Sequence, residues 1–131
     1  MDIAQGVVRA TRPTILVVED DSGVRRSLQM LLRGRGYEVK AYFEGRPLLD
    51  DPLILDAACL IADYRLGDMD GLAVLAMLRS RGWNGPAILI TAYSSSELAY
   101  LAEKAGFVTL MEKPLQPSAL VSTVSRLVAY R

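Results

Sequence analysis

The acids Glu19, Asp20 and Asp63, the hydroxyl of Thr91 and the amine of Lys113 are the side chains of this sequence whose types and order suit phosphoryl chemistry. Gathered in one place, two or three carboxylates repel one another and raise at least one pKa unless a cation lies between them. Mg²⁺ is the natural cation: it is hard, prefers oxygen donors in an octahedron, and needs few carboxylates when a phosphate supplies the rest. With the charge of a transferring group neutralised, the Asp63 carboxylate can act as nucleophile and form an acyl phosphate. Lys113 then offers a point charge to a phosphoryl oxygen, Thr91 a hydroxyl hydrogen bond, and backbone N–H groups after Asp63 the rest of a cradle. Singly, each residue has an ordinary use, as a helix cap, a turn acid, a surface charge or a strand residue. Only a shared location makes them a site.

A shared location needs elements that end together. Short apolar runs alternate with stretches of helical period, which argues for an α/β domain: a five-stranded parallel sheet with five helices on its two faces. Strands are predicted at Ile15 to Val18, Tyr37 to Ala41, Cys59 to Ala62, Ala87 to Thr91, and Phe107 to Met111. The first helix is predicted at Ser22 to Arg33, capped by Asp21 or Ser22 and ended by Gly34 and Gly36. A short second helix lies around Gly45 to Asp50, and a third runs from Gly71 to Arg81 after Asp70 as N-cap. The fourth opens in Ser94 to Ser96, buries Leu98, Leu101 and Ala105, and stops at Gly106; the fifth is opened by Pro117 and buries Leu120, Val124, Leu127 and Val128. Right-handed crossovers in such a unit commonly give the order 2-1-3-4-5, with a crevice at the carboxyl ends of the strands. On that rim fall Glu19, Asp20 and Asp21, then Asp63, Thr91, and Lys113 with Pro114. The first thirteen residues read as a lead-in, and residues 14–131 as one domain.

Composition removes other chemistries. Fifteen basic residues balance fifteen acidic ones, so the chain lacks the positive field that holds nucleic acid, and DNA binding by this domain alone is not expected. Histidine is absent, which excludes Ser-His-Asp and Cys-His catalytic units, His-ligated zinc and a phosphohistidine carrier role. The single cysteine, Cys59, sits in the apolar run AACLIA and reads as a small core residue. No apolar run reaches the roughly 20 residues that span a bilayer, so a cytoplasmic chain without membrane contact is expected.

The runs ILVVEDD, LIADYRLGDMDGL, ILITAYSS and MEKPL occur in order and in the right strand context. Together they resemble the receiver domain of two-component response regulators, over residues 14–130. The resemblance implies the flavodoxin-like, CheY-like order 2-1-3-4-5 and a phosphoryl transfer, dependent on Mg²⁺, from the phosphohistidine of a histidine kinase or phosphotransfer protein to Asp63. It implies that Glu19, Asp20 and Asp63 are metal-site acids, that Arg65 gives its backbone carbonyl to the metal, that Thr91 is the switch hydroxyl, and that Lys113 is the site lysine before a cis proline. Such a chain is no enzyme towards other substrates; it catalyses its own phosphorylation and dephosphorylation and changes partner or dimer contacts. FixJ-like regulators and hybrid kinases carry similar runs. Receivers meet their kinase near the first helix, which leaves Arg25 and Arg26 as docking residues or a solvated face. A homodimer through the fourth helix, fifth strand and fifth helix is the expected assembly.

The departures also matter. Leu110 occupies the position, three before the lysine, where an aromatic residue usually couples to the threonine. Gly67 stands where a proline is frequent, which predicts a more mobile loop. Arg65 and Tyr93 are large at positions from which they can shield an acyl phosphate. Two rival readings remain: a receiver-like adaptor that is never phosphorylated, and a phosphatase of the haloacid-dehalogenase kind, whose nucleophile would fall at Glu19.

Overall fold

The computed structural model describes residues 12–129; the lead-in assigned to residues 1–13 lies mostly outside them, as does Tyr130. Five strands, β1 (Thr14–Val18), β2 (Glu38–Tyr42), β3 (Cys59–Asp63), β4 (Ala87–Thr91) and β5 (Thr109–Glu112), pair in the order β2-β1-β3-β4-β5, all parallel. Between and after them run α1 (Ser22–Arg33), α2 (Gly45–Leu49), α3 (Gly71–Ser80), α4 (Ser96–Ala105) and α5 (Pro117–Ala129).

Alternation along each strand divides the interior into two cores. Leu16, Val18, Leu60, Ala62 and Leu89 point to one face, where Leu48 of α2, Val74 and Leu78 of α3, and Leu98 of α4 cover them. Ile15, Val17, Ile61, Ile88 and Ile90 point to the other, under Leu28 and Leu32 of α1 and Leu120 and Val124 of α5. Both faces of β3 and β4 are therefore buried along their whole length, as their unbroken apolar runs require. Cys59 lies in the second core, and burial pushes its thiol up to about 12, in keeping with a packing role.

The helix ends follow local chemistry. Asp21 accepts from the Val24 amide at 2.9 Å, Asp70 from Ala73 at 2.8 Å and Ser95 from Leu98 at 3.0 Å, so each satisfies an otherwise free donor of a first turn. Gly106 ends α4 in the left-handed conformation, φ 106°.

Some predicted limits shift. The last strand begins at Thr109 rather than Phe107, because the Phe107 amide still bonds back to Ala102 O and closes the helix. The second starts at Glu38 because the Tyr37 amide bonds to Leu32 O. Leu101, expected to be buried, is 41% exposed; the buried stripe of α4 runs through Leu98 and Ala102, one step round the helix. A 3₁₀ turn at Ile54–Asp56 carries no periodic signal and was not predicted.

One contact joins the fold to the rim. A Cβ on Gly71 would lie 2.5 Å from the backbone oxygen of Asp63 and 2.8 Å from Leu89 Cδ1, and the Gly71 amide bonds to Tyr64 O at 2.8 Å. Backbone cannot yield as a flexible side chain does. Gly71→Ala is therefore expected to lower stability by about 1–3 kcal/mol, read as an earlier urea midpoint, although alanine is the better helix former.

Candidate functional site

β1 delivers Glu19 and Asp20 to the rim, and the neighbouring β3 ends on Asp63. One carboxylate oxygen from each lies within 4.8 Å of the others. Glu19 is fully buried and Asp63 is 4% exposed, whereas Asp20 faces solvent. Two acids buried side by side need compensation, and Lys113 provides it from the end of β5. Its Nζ donates to Glu19 Oε1 at 2.9 Å and to Asp63 Oδ2 at 3.1 Å. The Asp21 amide serves the other Glu19 oxygen at 3.0 Å, and the Arg65 amide reaches Asp63 Oδ1 at 3.4 Å.

The charges respond accordingly. Burial pushes the Glu19 carboxyl from 4.5 up to about 7; the Asp21 amide and Lys113 oppose that rise, and Asp63 adds to it. Burial works against the Lys113 charge, but Glu19 and Asp63 outweigh it and hold the ammonium above its ordinary value. Because the folded chain binds the Glu19 proton more tightly than the unfolded one, this group contributes stability below about pH 4.5 that is lost as pH rises through about 7. In a chelating buffer, the chain is thus expected to be on the order of 2 kcal/mol less stable at pH 8 than at pH 5 from this group. Parallel urea titrations of wild type and Glu19→Gln check it, with the variant's pH dependence flatter.

Thr91 is buried, and its hydroxyl is engaged with its own loop: it donates to Tyr93 O and accepts from the Tyr93 amide, both at 3.3 Å. The Tyr93 side chain is 84% exposed. The Arg65 guanidinium lies 5.8 Å from the centre of the Tyr64 ring. Leu110 is half-buried against the first core and Phe107 is inside it, so neither repeats an aromatic at the rim. The Lys113–Pro114 peptide is cis. Glu19, where the phosphatase reading needs its nucleophile, is fully buried and bound to Lys113.

Two residues carry more than the sequence suggested. Arg25 donates to the backbone oxygen of Glu19 at 2.8 Å, which ties α1 to the acidic loop and gives it a structural task besides a solvated or docking one. Asp68, in the turn-like run GDMDG, accepts from the Gly45 and Arg46 amides at 3.0 and 2.8 Å and so reaches α2. The loop around Gly67 is fastened where the missing proline had predicted mobility. No sequence signal marks either partner, because both depend on which loops meet in space.

Comparisons with known proteins agree with this geometry. The family model of the response regulator receiver domain matches residues 15–125. The transcriptional regulatory protein FixJ of Azorhizobium caulinodans is 33% identical over 108 residues, which are 82% of this chain and 51% of FixJ. ZraR of Escherichia coli is 36% identical over 116 residues, 88% of this chain and 26% of ZraR. The chain thus spans about half of the one relative and a quarter of the other. Among solved structures, the CheY-like receiver domain protein of Methanospirillum hungatei superposes with a TM-score of 0.82 at 23% identity, covering 92% of this chain and 96% of that one. The BeF3-activated receiver domain of DrrB, from Thermotoga maritima, reaches 0.84 at 25% identity, covering 92% and 100%. In sequence and in fold, this chain belongs to the response regulator receiver domains of two-component signalling.

Proposed function

We propose that Asp63 accepts a phosphoryl group from the phosphohistidine of a histidine kinase or phosphotransfer protein, in a reaction that needs Mg²⁺. The observation that carries this reading is the Lys113 ammonium shared by Glu19 and Asp63 at the carboxyl rim of the sheet. The donor set fits a hard cation: three acids present oxygens within 4.8 Å of one another, and two of them already share one positive charge. Glu19, Asp20 and Asp63, with the backbone carbonyl of Arg65, would hold it. When bound, Mg²⁺ neutralises charge on the oxygens of the transferring group.

The chain's own groups do the rest. An Asp63 oxygen forms the bond to phosphorus as the histidine N–P bond breaks, and the departing nitrogen keeps the electron pair. Lys113 turns from Asp63 Oδ2 to a phosphoryl oxygen, where its charge opposes the extra negative charge of the acyl phosphate. Thr91 gives up its bonds to Tyr93 and donates its hydroxyl to the same group, which moves the loop between β4 and α4. With Leu110 in place of an aromatic, that movement is transmitted by the loop itself. Hydrolysis of the acyl phosphate on the same chain resets it.

The relatives FixJ and ZraR are transcriptional regulatory proteins, so we infer that the output in the cytoplasm is a change of partner or dimer contacts. The α4-β5-α5 dimer is favoured by the exposure of Tyr100 and Leu101 on α4. Sedimentation with and without beryllofluoride should show the dimer only with the phosphoryl mimic.

The central test is intact mass after incubation with a small phosphodonor and Mg²⁺. One phosphoryl group per chain is expected, and none when a chelator replaces the metal. A wild-type chain that gains nothing sinks the reading.

A further inference from the structure

Four separate contacts join the loop after Asp63 to the start of α2. Asp68 Oδ1 accepts from the Gly45 amide at 3.0 Å and Oδ2 from the Arg46 amide at 2.8 Å. A Cβ on Gly45 would lie 2.7 Å from Met69 Sδ, so α2 begins in close contact with the same loop. The Glu44 carboxylate lies beside Gly67, where a Cβ would strike it. Glu44 holds the N-cap position of α2 yet makes no capping bond with its side chain. The cap comes instead from Asp68, 22 and 23 residues away in sequence.

The segment so held is the one the site depends on. Residues 64–67 lie between Asp63, at the end of β3, and the Asp68 tether, and Arg65 points its amide at Asp63 Oδ1. Gly67 in that segment has no side chain to restrict its backbone, so ordering it costs more conformational entropy than at most residues. A carboxylate holding two backbone amides is a charge-assisted tether that opposes this freedom.

We propose that Asp68 is a positioning residue for the acidic pocket. By capping α2 it holds residues 64–67, so that the Arg65 carbonyl and amide stay available to Mg²⁺ and to Asp63. The inference rests on the phosphoryl-acceptor reading and adds to it a residue that touches neither metal nor phosphate. It also links the pocket to α2, so that displacing α2 loosens the site.

Asp68→Ala removes both bonds, whereas Asp68→Asn keeps one carbonyl acceptor. Amide hydrogen exchange of the whole chain in chelator is the first readout. Exchange at residues 64–67 is expected to quicken about tenfold in the alanine variant and less in the asparagine variant, with the core amides of Ile61 and Ile90 unchanged. The second is calorimetric titration with Mg²⁺, where Kd should weaken roughly tenfold in Asp68→Ala and recover in part in Asp68→Asn. Unchanged exchange at 64–67 overturns the proposal. So does a rise shared equally by the core amides, or an unaltered Mg²⁺ Kd, since each leaves only a structural cap. A wild-type chain that takes no phosphoryl group overturns the parent reading instead, and that control alone tells the two failures apart.

Discussion

Asp63→Asn is expected to abolish phosphoryl uptake from a small phosphodonor while leaving the fold intact. An amide oxygen is a poor nucleophile and offers the metal no charge, so neither the bond to phosphorus nor the neutralisation that permits it survives. Stability should move the other way or not at all. Asp63 and Glu19 are two buried acids sharing one lysine, and removing one charge eases their repulsion. In chelator the variant should therefore melt at or above the wild-type temperature, and intact mass should show no added group. Equal uptake by both proteins would place the acceptor elsewhere.

Lys113→Met should produce the second large effect, and its two parts separate by condition. Removing a donor aimed at developing negative charge typically costs about 10²-fold in rate, so the initial rate of phosphoryl uptake at saturating Mg²⁺ should fall on that order. Without metal, Glu19 and Asp63 lose their shared counterion, and breaking such a pair is strongly destabilising. Lys113 is partly exposed, so water softens the loss to on the order of 1–2 kcal/mol at pH 8. At pH 5 the loss should shrink, because the Glu19 carboxyl, pushed up to about 7, is then protonated. Melting curves at the two pH values decide it; an equal loss at both would mean that Lys113 supports the fold by packing and not by charge.

Much of the arrangement is legible in sequence because it is local or periodic. Ser22 to Arg33 and Ala87 to Thr91 emerge with the limits expected, since a cap, a helical stripe and an unbroken apolar run each leave a mark within a few residues. Alternation of strand and helix then sends Glu19, Asp20, Asp63, Thr91 and Lys113 to one rim, and the structure gathers the three acids and the lysine there. Thr91 arrives at the rim turned towards Tyr93, a rotamer choice that no sequence pattern encodes. Leu101 was misjudged because an apolar residue one step off the helix stripe has the same composition signal as one on it. The reach of Asp68 is hidden for a different reason. GDMDG looks like a turn, and its first acid satisfies the turn rule equally well whether it bonds locally or to a helix that ended fourteen residues before β3 was complete.

Trp83, the chain's one tryptophan, follows α3 and precedes β4, which places it at the amino end of the sheet, opposite the acids. It is buried, and its indole N–H donates to Ala57 O at 2.9 Å. Its fluorescence is therefore an internal gauge of folding, seated at the opposite end of the sheet from the acids. Unfolding can thus be watched from one pole of the molecule while the phosphoryl chemistry proceeds at the other.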